Sequence, residues 1–143
     1  MASDGGKMTA HSCKTFDNQN GYFNNGGVME LLYCSSDDDI RGCYFRSGHL
    51  TATNVAVTDS IDGFHVEGGN AELRSCSVRD SHKLGMLFGF ITPRYITPGS
   101  EPPEARVQDC TVAQNGNGGF VHRQVHRWPV SYTHLTLPTN REV

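Results

Sequence analysis

The sequence predicts an all-β fold, a right-handed parallel β-helix solenoid of about five coils of 21 residues, and three observations carry that prediction. Glycines recur in step at Gly6, Gly27, Gly48 and Gly69. A small apolar position keeps the same beat at Cys13, Cys34, Val55, Cys76 and Cys110, with intervals of 21, 21, 21 and 34 residues. Between these marks apolar residues alternate over runs too short for an amphipathic helix, which is the signature of short strands. A unit of this size cannot bury an apolar face alone, so it must stack on copies of itself.

Each coil repeats the same elements in order. Five residues before the anchor stand Met8, Met29, Leu50, Ala71 and Ala105, and three before it Ala10, Leu31, Ala52, Leu73 and Val107. Two residues after it come Thr15, Ser36, Val57, Val78 and Val112. A polar turn then leads to a glycine, at Gly21, Gly42, Gly63, Gly85 and Gly119, and to a second short strand at 22–24, 43–45, 64–66, 86–88 and 120–122. Stacking sets strands of successive coils in parallel about 4.8 Å apart and makes the anchor positions an interior column. Cysteine suits such a column because it is small and commonly buried. Five cysteines without disulfide or zinc spacing read as reduced core thiols. One interval exceeds the repeat by 13 residues, and most of the excess, ITPRYITPGSEPP at about 91–103, holds four of the six prolines. It reads as an excursion loop, either a tolerated insertion or part of a binding face.

A chain of 143 residues, 36% hydrophobic and 19% charged, has room for one domain. Its net charge of −3 gives no basic footprint for nucleic acid. No apolar run reaches membrane-span length and the polar start lacks a secretory core, so a cytoplasmic protein is expected. The stretch 129–139, PVSYTHLTLPT, resembles a translated sequencing adapter. The domain is therefore expected at 5–123, with 124–143 a disordered or artefactual tail, and the chain is expected to be a fragment truncated at both ends.

The pattern in AELRSCSVRDSHKLGMLF and ARVQDCTVAQNGNGGFVHR resembles the parallel β-helix repeat of the pectate lyase-like superfamily. The cysteine-rich character is most similar to the β-helix of F-box-only substrate receptors of ubiquitin ligases. The resemblance implies the fold strongly and function weakly, because that fold hosts lyases, hydrolases, epimerases and non-catalytic scaffolds. Carried over from the lyases by position, Asp38, Asp59 and Asp62 would be the calcium-holding acids and Arg41 or Lys83 the base, although no lyase motif is intact. The hydrolases carry a Gly-His-Gly signature where this chain has Gly48, His49 and Leu50.

Two columns stand out on the residues themselves. Asp17, Asp38, Asp59 and Asp80 fall four residues after the anchors, with Gln114 in the fifth coil and Asp37, Asp39 and Asp62 nearby. Stacked carboxylates need hydrogen bonds from turn amides, basic neighbours, or a cation. The calcium candidates are Asp38, Asp39, Asp59 and Asp80. On the second strand, alternation sends Phe23, Tyr44, His65, Leu87 and Val121 outward as an exposed binding stripe, unless a loop covers them. His122 and His126 have metal-like spacing only on a helix and gain no role in a strand. The leading expectation is a non-catalytic recognition solenoid with a protein partner and no cofactor. The alternative is a fragment of a carbohydrate-active enzyme acting on a polysaccharide.

Overall fold

The computed structural model describes residues 1–88, 104–116, 118–122 and 130–133. Among them every regular element is a strand, and no helix is long and apolar enough to cross a membrane. The first coil contains β1 (Ala2–Asp4), β2 (Lys7–His11) and β3 (Lys14–Phe16). The second and third open with long strands, β4 (Asn20–Leu32) and β6 (Arg41–Thr53), followed by β5 (Ser35–Asp37) and β7 (Ala56–Thr58) respectively. After them come β8 (Asp62–Val66), β9 (Asn70–Arg74) and β10 (Ser77–Arg79), then β11 (Leu84–Phe88), β12 (Glu104–Gln108), β13 (Thr111–Ala113), β14 (Gly118–His122) and β15 (Val130–Thr133).

All pairings are parallel and join each strand to its counterpart one coil away. The short strands stack as β3–β5–β7–β10–β13, five rungs that delimit about four complete turns. The columns read from the sequence are the observed register: Met8, Met29, Leu50, Ala71 and Ala105 pair in succession, as do Thr15, Ser36, Val57, Val78 and Val112. Register resumes after the 34-residue interval, with Ala71 opposite Ala105 and Val78 opposite Val112. The excursion itself, about 91–103, lies outside the described residues.

Where two short strands were expected, β4 and β6 run on for 13 residues each. The backbone bends at Gly26–Gly27 and at Gly48 without breaking the ladder, although the register shifts between Asn24 and Val28. Gly48 has φ +98°, and a Cβ there would press on the Gly27 carbonyl oxygen of the preceding coil. This explains the 21-residue glycine beat. Only a residue without a side chain lets two backbones approach so closely in a left-handed conformation.

Two further corners per coil use left-handed backbone without glycine. Ser12, Tyr33, Asn54, Ser75 and Asp109 have φ between 52° and 55°, and Asp17, Asp38, Asp59, Asp80 and Gln114 between 51° and 56°. Asn and Asp tolerate this region best, since their short polar side chains bond locally. The Asp column is thus a column of corners. Three-residue strands fit between the two corners of each coil.

The interior is one apolar cluster that includes Tyr22, Cys43, Phe64 and Met86 from one face and Met29, Leu31, Leu50, Leu73 and Val107 from another. The anchor column lies within or against it. Its thiols lean on backbone carbonyls: Cys34 donates to Ala10 O and Leu32 O at 3.4 Å, and Cys76 to Ala52 O at 3.4 Å and Arg74 O at 3.5 Å. All five cysteines are free. Burial first, and the nearby Cys34 thiol second, push the Cys43 thiol up to about 12.

Val130–Thr133, within the adapter-like stretch, pairs in parallel with β12, Ala105 opposite Val130 and Gln108 opposite Thr133. An open strand edge offers unpaired N–H and C=O groups to any segment of suitable β propensity, and a Val-Ser-Tyr-Thr run is such a segment.

Gly48→Ala should lower the unfolding free energy by more than 2 kcal/mol in urea titration. Gly5→Ala, also left-handed (φ +74°) but facing open space, should cost only about 1–2 kcal/mol. A second expectation concerns pH. Cys43 keeps its proton in the folded state while the unfolded thiol ionises near 9, so its contribution is complete below pH 9 and is lost as pH rises toward about 12. Urea midpoints should fall across that window, and less steeply in Cys43→Ala.

Candidate functional site

The outer face of the sheet formed by β4, β6, β8 and β11 carries a polar and aromatic constellation. Its phase is set by glycine. A Cβ on Gly42 would strike Val57 Cγ1 in the core, and the next residue, Cys43, also faces the core. Two consecutive inward positions break the alternation, so Arg41 shares the outer face with Tyr44 and Arg46. Strict period-2 reading would have sent Arg41 inward with Cys43.

Register then stacks Phe23 on Tyr44 and Tyr44 on His65, with Leu87 next in line. The Phe23 and Tyr44 rings are 5.3 Å apart and nearly parallel at 19°, and the Tyr44 and His65 rings are 5.0 Å apart at 46°. The Arg41 guanidinium sits over the Tyr44 ring at 4.6 Å, a cation–π geometry. The Tyr44 hydroxyl donates to Glu67 Oε1 at 2.7 Å. His65 Nε2 stands 3.7 Å from the same oxygen, and Arg46 Nε stands 3.7 Å from Glu67 Oε2. Burial first, then the Glu67 hydrogen bond, holds the Tyr44 hydroxyl above its ordinary range. One carboxylate thus gathers a phenol, an imidazole and a guanidinium.

The expected stripe exists as a column, but its exposure needs correction. Tyr44 is 9% exposed, His65 1% and Leu87 0%. For Tyr44 the cover is physical and local, with Arg41 on its ring and Phe23 stacked beside it, while Glu67 holds its hydroxyl. Phe23 and Arg41 are half-buried, and the Arg46 side chain is 39% exposed. Solvent therefore meets the stack mainly through Phe23 and the two arginines. Nothing is described for the Val121 side chain.

The carboxylate candidates do not converge. Asp38, Asp59 and Asp80 point into solvent from the left-handed corners, one per coil. Asp39 turns the other way and is buried, where it accepts hydrogen bonds from Thr15 Oγ1 (2.8 Å), Ser36 Oγ, the Asn18 amide (2.7 Å) and Asn18 Nδ2 (3.0 Å). That satisfies both oxygens and removes Asp39 from the calcium set. Asn115 does the same for the Ser81 amide at 3.0 Å, so this inner position is a turn-closing column. Asp62 lies opposite Arg41 in register, and Lys83 is an exposed turn residue whose amide bonds Ile61 O. Among the described residues no ion pair links Asp38, Asp59 or Asp62 to Arg41 or Lys83, and no group of three or more His, Cys, Asp or Glu side chains could hold a metal ion.

Sequence reasoning missed Arg46 and Glu67. They are opposite charges one 21-residue period apart, which is the signal that would have paired them.

A double-mutant cycle of Tyr44→Phe and Glu67→Gln should give a coupling of about 2 kcal/mol in unfolding free energy, as expected for a shielded hydrogen bond to a charged acceptor. A coupling near zero would mean that the two groups act independently. The chain matches no protein-family model, no curated protein and no solved structure.

Proposed function

We propose that the protein is a non-catalytic recognition solenoid that binds a protein partner on the outer face of β4, β6 and β8. The observation that supports this reading is the Phe23–Tyr44–His65 ring stack pinned by Glu67 and flanked by Arg41 and Arg46. Its buried members are held by hydrogen bonds and stacking, so binding need not order them first. Its accessible members, an aromatic ring and two arginines, are of the types that dominate binding energy at protein interfaces. The scattered carboxylates argue against the hydrolase form of the alternative, since glycoside hydrolysis by the usual route needs two carboxyl groups facing one bond.

A second reading has one observation in its favour. Tyr44, His65 and Glu67 meet at a single carboxylate, the kind of cluster that could exchange a proton with a sugar ring, which keeps the fragment of a carbohydrate-active enzyme in view.

The test pans a phage-displayed random twelve-residue peptide library against the full chain. Selected peptides should bind at least tenfold more weakly to Phe23→Ala, while the variant's circular dichroism and melting temperature stay near those of the parent. Peptides indifferent to Phe23→Ala, together with release of unsaturated or reducing ends from polyuronates, would replace recognition by the enzyme reading.

A further inference from the structure

We infer that the partner segment for this face is an extended, acidic stretch of polypeptide that places carboxylates over Arg41 and Arg46 and an apolar side chain against Phe23. The inference rests on the recognition role proposed above and names the chemistry of the partner.

Three features of β6 carry it. First, Arg41 is spread over the Tyr44 ring and, among the described residues, no carboxylate lies within ion-pair distance of it. A guanidinium stacked on an aromatic face is oriented but keeps its in-plane N–H donors, the geometry that takes a carboxylate bidentately. Second, Arg46 Nε stands 3.7 Å from Glu67, a long contact for an ion pair, and the Arg46 side chain is 39% exposed. Third, the phase break at Gly42–Cys43 puts both arginines on one face, five residues apart on one strand. At about 3.3 Å per residue their Cα atoms are at most roughly 16 Å apart, and Arg41 leans toward Arg46 over the Tyr44 ring, so the two guanidinium groups are closer than that. An extended segment laid along β6 covers the distance in no more than five residues, and a helix, rising about 1.5 Å per residue, needs about twice as many. The site therefore fits an extended ligand with acidic residues no more than five positions apart.

The local charges agree with this assignment. Glu67 is shared among Tyr44, His65 and Arg46 and is only 5% exposed, so it contributes little repulsion at the surface. Asp62 lies opposite Arg41 in register without forming an ion pair with it, and it would favour a partner whose first acid sits on the Arg46 side of the Asp62 position.

The peptides selected above provide the probe. Each is synthesised as selected and with its Asp and Glu replaced by Asn and Gln, and binding is read by fluorescence anisotropy at 50 and 200 mM salt. The expected result is enrichment of acidic residues no more than five positions apart, with at least tenfold weaker binding for the amide versions and for Arg41→Gln/Arg46→Gln. The charge-reversed Arg41→Glu should recover binding to a peptide whose matching acid is Lys. Amide peptides that bind within twofold of their acidic parents while Phe23→Ala still abolishes binding would overturn this inference and leave the recognition face standing. Equal binding to heparin with the same arginine dependence would also overturn it, since any polyanion would then suffice. If no peptide is selected at all, both this inference and the recognition reading fall.

Discussion

The constraint on which the rest depends is that each coil must return to the same height and phase as its neighbour, because every backbone hydrogen bond between strands is made to a different coil. The chain meets it with left-handed backbone at fixed places. Ser12 to Asp109 form one line of corners, Asp17 to Gln114 a second, and Gly27, Gly48 and Gly69 a third. A residue added between two corners would turn every following side chain to the opposite face. The one extra residue of the fourth coil lies between Arg79 and Leu84, in a turn, where it shifts no strand: Asp62 still pairs with Leu84 and Phe64 with Met86.

Chemical variety is layered on that frame by the choice of outward residues. The inward columns are apolar throughout, with large and small side chains alternating in one column, as in Tyr22, Cys43 and Phe64, or giving way from Met29 and Leu50 to Ala71 and Ala105 in another. The outward positions of β4, β6 and β8 change character from coil to coil, from Phe23 to Tyr44 to His65, and the next pair of outward positions carries Arg46 and Glu67. Stacking brings these differences to within bonding distance although they are a full coil apart in sequence. The left-handed corners explain the aspartates by backbone conformation, so the most conspicuous acidic pattern in the chain belongs to the scaffold.

Much of the fold was legible in the sequence because it is written as a period. The columns through Leu50, Val57 and Phe64 could be read from spacing alone, and the parallel register followed. Less of the site was legible. Alternation placed Tyr44 and His65 outward correctly but could not show that Arg41 and Glu67 would cover and hold them. The reversal at Gly42 depends on how close Val57 lies, a packing distance that no spacing encodes. Asp38 and Asp39 are adjacent and chemically identical, yet one faces solvent and the other closes a turn with four hydrogen bonds. The corner geometry between them decides which is which.

The register that resumes between Ala71 and Ala105 has a wider consequence. Cohesion in such a stack runs only between adjacent coils, so the strands on either side of the long interval recognise each other whatever joins them. The length and composition of that connection are therefore decoupled from the architecture. The ladder, and the arginine-bearing face two coils away, is held in place whatever that length and composition are.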